Sequence, residues 1–173
     1  MIRVWTRIII YFIVFVLLQA LVMNNIHLFN LITPFIYLYV VIKLPVDFSS
    51  SKIITISFLL GFIVDIFSNT FGMHAAACTL MGFVRNPLMD RFVDVKEIQA
   101  GSFPSYRLFG FGKFIRYTLL LVTIHHITLF LIDSFSFYQP LLMITRMLLS
   151  ILFTLALMCI VEAFNLSKEK GGE

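Results

Sequence analysis

Apolar residues in this chain come in long unbroken runs separated by short polar stretches, rather than in the alternating or every-third-residue pattern of a soluble fold. A helix needs about 20 apolar residues to cross a bilayer. Six runs approach that length: residues 8–23, behind Arg3 and Arg7; 26–44, which carries Pro34; 53–67; 72–84; 114–132; and 141–164. The one sizeable polar stretch is the connection 85–113, and a short polar tail follows the last run. The pattern predicts an all-α integral membrane protein, a single domain over residues 1–173 built as a six-transmembrane-helix bundle.

Composition agrees. Of the 173 residues, 60% are hydrophobic and 13% charged, against roughly 45–50% and about 25% in a soluble domain. Mean hydropathy is +0.99. Such a chain cannot cover a water-facing surface, which argues against nucleotide hydrolysis, soluble redox chemistry and nucleic-acid binding. The net charge of +4 reflects placement. With alternating spans, Arg3, Arg7, Lys43, Lys52, Arg85, Arg91, Lys96, Arg107, Lys113, Lys168 and Lys170 all fall on one side. Only Arg116 and Arg146 lie inside spans. Positive charge marks the cytoplasmic side, so both termini are expected in the cytoplasm. No small-x-small cleavage pattern follows the first run, which therefore reads as an uncleaved span. Cys78 and Cys159 fall within spans as packing residues. Without a Cys-x-x-Cys or His-x-x-His pattern, neither metal nor cofactor is expected.

Charges inside a span cost about 2.5–3.5 kcal/mol each on insertion scales, so those present need partners. Arg146, Ser150, Thr154 and Glu162 form a polar stripe along the sixth span, and Ser57, Gly61 and Asp65 a matching face on the third. Arg146 and Asp65 lie within about 5–8 Å of the same edge at 1.5 Å per residue. An Asp65–Arg146 ion pair is therefore expected, as a clamp between helices or as a ligand contact. In the fifth span, Arg116, Thr123, His126 and Asp133 share a face, with Thr118, His125 and Thr128 beside them. His125 and His126 point about 100° apart on a helix, which favours interior hydrogen bonding for His126 over ligand or metal binding. His74, beside Gly72, can join the Asp65 cluster or cap the fourth span. In the connection, Leu88, Met89, Phe92 and Val95 have the spacing of a short amphipathic helix on the membrane surface. No nucleophile, phosphate loop or paired carboxylate has a spacing that signals catalysis, so no enzyme activity is expected.

The third span ends Gly61-Phe-Ile-Val-Asp65-Ile-Phe-Ser68 and continues Asn69-Thr-Phe-Gly72-Met-His74-Ala75-Ala76. This stretch, with the hydropathy of the whole chain, resembles the rod shape-determining protein MreD family. The long 85–113 connection is less typical of its shorter members. The resemblance implies a non-enzymatic scaffold in the bacterial inner membrane, within the cell-shape and peptidoglycan-elongation machinery. Implied partners are an MreC-like single-span protein, RodA, a class B penicillin-binding protein and MreB-like filaments, the last met by the cytoplasmic loop or tail. It also implies a fold similar to the substrate-binding subunits of energy-coupling-factor vitamin transporters, which supplies the rival reading. Short outward loops and a bulky first span count against that rival. Gly61, Asp65, Gly72, His74, His126 and Arg146 are the candidate structural or interaction residues.

Overall fold

Five long helices carry most of the apolar sequence, packed around a segment that is mostly not helical. The computed structural model describes residues 2–25, 32–94, 98–133 and 139–170, with side chains through Asn165. The helices are α1 (Ile2–Leu21), α2 (Leu38–Ile42), α3 (Ser50–Ser68), α4 (Met73–Met89), α5 (Tyr106–Phe109), α6 (Phe111–Asp133) and α7 (Pro140–Lys170). Among the described residues, four helices are long and apolar enough to cross a membrane: α1 with the turn to Asn25, α3, α6, and α7 to Asn165. The chain is thus a multi-pass, all-helical membrane-associated protein. Helix α4, with 17 residues, is about 25 Å long and packs mainly against α3 and α6. Ile9 and Ile13 of α1, Phe62 and Ile66 of α3, and Leu148 and Leu152 of α7 all point outward and exposed. Such a surface suits hydrocarbon rather than water.

The second apolar run is not one long helix. Residues 26–31 lie outside the described part. From Ile32 the chain is non-helical through Phe35, turns, and forms only the five-residue α2. Residues 35–44 are at most 5% exposed. Non-helical backbone survives at membrane depth only where protein satisfies its polar groups, and side chains do that here. The amide of Thr33 donates to Ser150 Oγ (3.1 Å) and that of Phe35 to Thr154 Oγ1 (3.1 Å). Gln19 of α1 accepts from the amide of Ile36 and donates to the carbonyl of Pro34, both at 3.0 Å. Pro34 has no amide proton to place. Ser150, Thr154 and Glu162 of the α7 stripe therefore face this central segment, not α3.

The fourth span also differs from expectation. Helix α4 runs on to Met89, through Pro87, so the first residues of the anticipated connection are helical. Among the described residues, the anticipated surface helix is not formed at residues 88–92: Leu88 and Met89 finish α4 and residues 90–93 form turns. Val95 and Lys96 lie outside the described residues.

Helices α3 and α4 approach most closely at two glycines. A Cβ on Gly61 would lie 2.6 Å from Ala75 Cα, and one on Gly82 would lie 2.9 Å from Ser57 Cβ. The turn between them needs left-handed backbone, supplied by Asn69 (φ 54°) and Gly72 (φ 80°). At one end of the bundle, Arg7, Lys43 and Arg107 surround a cleft, and Glu162 meets Lys43. At the other end, Asn24, Ser68, His74, Asp133 and Arg146 line a common cavity. These are called the Lys43 end and the Asp133 end. The first turns of α1 and the last turns of α7 share the Lys43 end.

Candidate functional site

Asp65 does not pair with Arg146 among the described residues. Its carboxylate caps α4 instead: Oδ1 accepts from the His74 amide (3.0 Å) and the Thr70 hydroxyl (2.5 Å), and Oδ2 from the Ala75 amide (2.8 Å). A helix start has unpaired amides and a partial positive charge, and an anion there answers both. Proximity decides the partner. The turn after α3 folds the start of α4 back over Asp65, so local amides reach the carboxylate first. The Gly61–Ala76 sequence is thus a self-contained device: Gly61 admits α4, Asp65 caps it, and Gly72 turns the chain.

Tyr37 links two histidines of different helices. Its hydroxyl lies 3.0 Å from His74 Nδ1 and 2.8 Å from His125 Nε2, and all three side chains are buried. Phe35 packs edge-on or tilted against His74, His125 and His126, with ring centroids 5.2–5.7 Å apart. His126 Nδ1 donates to the carbonyl of Val122 (2.8 Å). His125 Nδ1 and His126 Nε2 are buried with no hydrogen-bond partner among the described residues. The two neighbours share Phe35 but differ in hydrogen bonding, His125 meeting Tyr37 and His126 a carbonyl of its own helix. The described residues contain no group of three side chains placed to hold a metal.

At the Lys43 end, the buried charges are tightly engaged. Lys43 Nζ lies 3.0 Å from Glu162 Oε2, with the two side chains 2% and 1% exposed. Lys43 also donates to the carbonyl of Pro104. Tyr39 donates to Glu162 Oε2 (2.5 Å) and accepts from Asn165 Nδ2 (2.7 Å). Arg85 is fully buried and donates to the carbonyls of Val41 (3.0 Å), Leu44 and Pro45. It thereby supplies a cation and donors to the C-terminal carbonyls of α2. Lys43 and Arg85 are therefore interior residues rather than loop charges. Local pattern gave no sign of this, because a basic residue at the edge of an apolar run looks the same whether it snorkels or is enclosed. Tyr37, Tyr39 and Gln19 were likewise unmarked, each being one polar group within apolar sequence.

The cavity at the Asp133 end has a volume of about 620 Å³. Phe35, Phe67, Leu129 and Phe130 supply apolar wall. Asn24 is bonded to Gln19 and Ser68, Thr70 to Asp65, and His74 to Tyr37. Arg146 and Asp133 also line it and are exposed. A second hollow of about 730 Å³ lies on the flank between α3 and α4. Gly72, Ala75, Ala76 and Thr79 give it a floor of small residues, and Phe58, Phe62, Leu80 and Phe83 form its walls. Of the six candidates, Gly61, Asp65, Gly72 and His74 thus meet at the α3–α4 junction. His126 lies among the central aromatics, and Arg146 stands at the cavity rim. Comparison with protein-family models, curated proteins and solved structures finds no match to this chain.

Proposed function

We propose that this chain is a non-enzymatic scaffold subunit of the bacterial cell-shape and peptidoglycan-elongation machinery, of the MreD type, and that its α3–α4 groove receives the single membrane-spanning helix of an MreC-like partner. The groove itself carries the reading. Helix association in lipid draws on close packing rather than on hydrophobic burial, and small residues permit it. Ala76 is exposed on the groove floor, and Phe58 and Phe62 stack at 6.0 Å along one wall. A helix laid between such ridges makes contacts that lipid tails cannot match. In this reading the Lys43 end faces the cytoplasm, since the basic residues gather there. Its connection and tail would meet MreB-like filaments, while RodA and a class B penicillin-binding protein act alongside.

Co-expression with an MreC-like protein and affinity purification test the proposal. Wild-type protein is expected to retain the partner, and Ala76→Phe, which fills the groove without entering the core, to lose at least about tenfold of it, or about 1.4 kcal/mol. Equal recovery with both would remove the groove as the docking face. A bound vitamin with an ATPase module, and no MreC-like protein, would replace the scaffold by the rival transporter reading.

A further inference from the structure

We propose that the cavity at the Asp133 end binds a zwitterion bearing an acid group and a primary ammonium, the acid held by Arg146 and the ammonium by Asp133. Most of the other polar groups lining the cavity are already committed. The side chains of Asn24, Thr70 and His74 serve the fold through Gln19, Ser68, Asp65 and Tyr37. Among the described residues, Arg146 and Asp133 have neither an ion pair nor a side-chain hydrogen bond, with each other or with any neighbour. Both nevertheless line the same cavity. One fixed positive and one fixed negative charge disfavour a simple anion or cation, because either would meet a like charge. A molecule with both charges satisfies both. Guanidinium suits phosphate or carboxylate in a paired contact, and a carboxylate accepts from the N–H groups of an ammonium. The volume, about 620 Å³, falls in the usual range for small-molecule sites, about 300–1,000 Å³. Phe35, Phe67 and Phe130 provide apolar wall for the rest of the molecule.

This chemistry has two sources, the headgroup of phosphatidylethanolamine and a small soluble aminoalkyl phosphate or amino acid. The test uses full-length protein. Its first arm measures retention of phosphatidylethanolamine, phosphatidylcholine and phosphatidylglycerol by native mass spectrometry, from nanodiscs containing the three in equal parts. Its second arm measures calorimetric binding of O-phosphoethanolamine in detergent. The expected result is phosphatidylethanolamine retained at least about tenfold over the other two, or saturable binding of O-phosphoethanolamine, with either weakened about tenfold by Arg146→Gln and by Asp133→Asn. Phosphatidylcholine presents no N–H and phosphatidylglycerol no cation, so equal retention of all three, without O-phosphoethanolamine binding, overturns the proposal. So does binding that both variants leave unchanged. The wild-type ranking stands as a test even if a variant fails to fold. Ala76 does not line the cavity, so failure here and failure of the groove proposal are separate outcomes.

Discussion

The two ends of the bundle treat charge in opposite ways. At the Lys43 end, ionic side chains are drawn inside and locked: Lys43 onto Glu162, Arg85 onto the carbonyls after α2. At the Asp133 end, Arg146 and Asp133 stand exposed around a cavity, while Asp65 is absorbed into a helix cap. The same residue types thus do structural work where main-chain carbonyls or an opposite charge enclose them, and remain available where they do not. What separates the ends is enclosure by the central segment. Residues 38–44 are enclosed toward the Lys43 end, whereas at the Asp133 end Thr33 and Phe35 are the residues of this segment, among those described, that reach the cavity wall.

That contrast predicts a graded set of stability effects, each read by thermal or denaturant unfolding in detergent. Glu162→Ala leaves Lys43 charged and enclosed, which should cost about 3–5 kcal/mol. The double replacement Lys43→Met with Glu162→Leu should recover much of that loss, because two apolar groups remove the desolvation problem together. A loss below about 1 kcal/mol for the single variant, the level of an exposed pair, would mean that the pair is not enclosed. Asp65→Ala should cost about 1–3 kcal/mol through the orphaned amides of His74 and Ala75. Gly61→Ala forces α4 away from α3 and should cost a similar amount, about 1–3 kcal/mol. Thr154→Val removes the acceptor of the Phe35 amide and should cost about 1 kcal/mol. Arg146→Gln should stay within about 0.5 kcal/mol of wild type, as surface changes do. A larger effect there would erase the distinction between the ends.

Sequence pattern revealed the parts of this arrangement that are local. Gly61, Asp65, Gly72 and His74 lie within one turn-and-helix unit, so spacing alone brought them together. The stripe Ser150, Thr154 and Glu162 was legible too, since i, i+4 spacing places residues on one helix face. Its partner was not legible. Depth matched Arg146 to Asp65, but depth says nothing about which donor is nearer, and the amides of His74 and Ala75 were nearer. The run 26–44 misled for a different reason. Hydropathy measures transfer out of water, and that quantity is the same for a helix facing lipid and for a segment enclosed by other helices. Thr33-Pro34 was the available sign, because the residue before a proline is held extended. Lys43 and Arg85 show the same gap for charge.

The central segment also sets a condition on synthesis. The acceptors for the amides of Thr33 and Phe35 belong to Ser150 and Thr154, 117 and 119 residues further along the chain. Because α7 is made after the other helices described, those two amides must wait until Ser150 and Thr154 have been synthesised before their partners exist. Extended backbone cannot rest in hydrocarbon with its donors bare. The helices can therefore enter the membrane in the order they are made, but the central segment can be completed only once α7 has joined them. A nascent chain stalled before Ser150 would still be waiting for its centre to close.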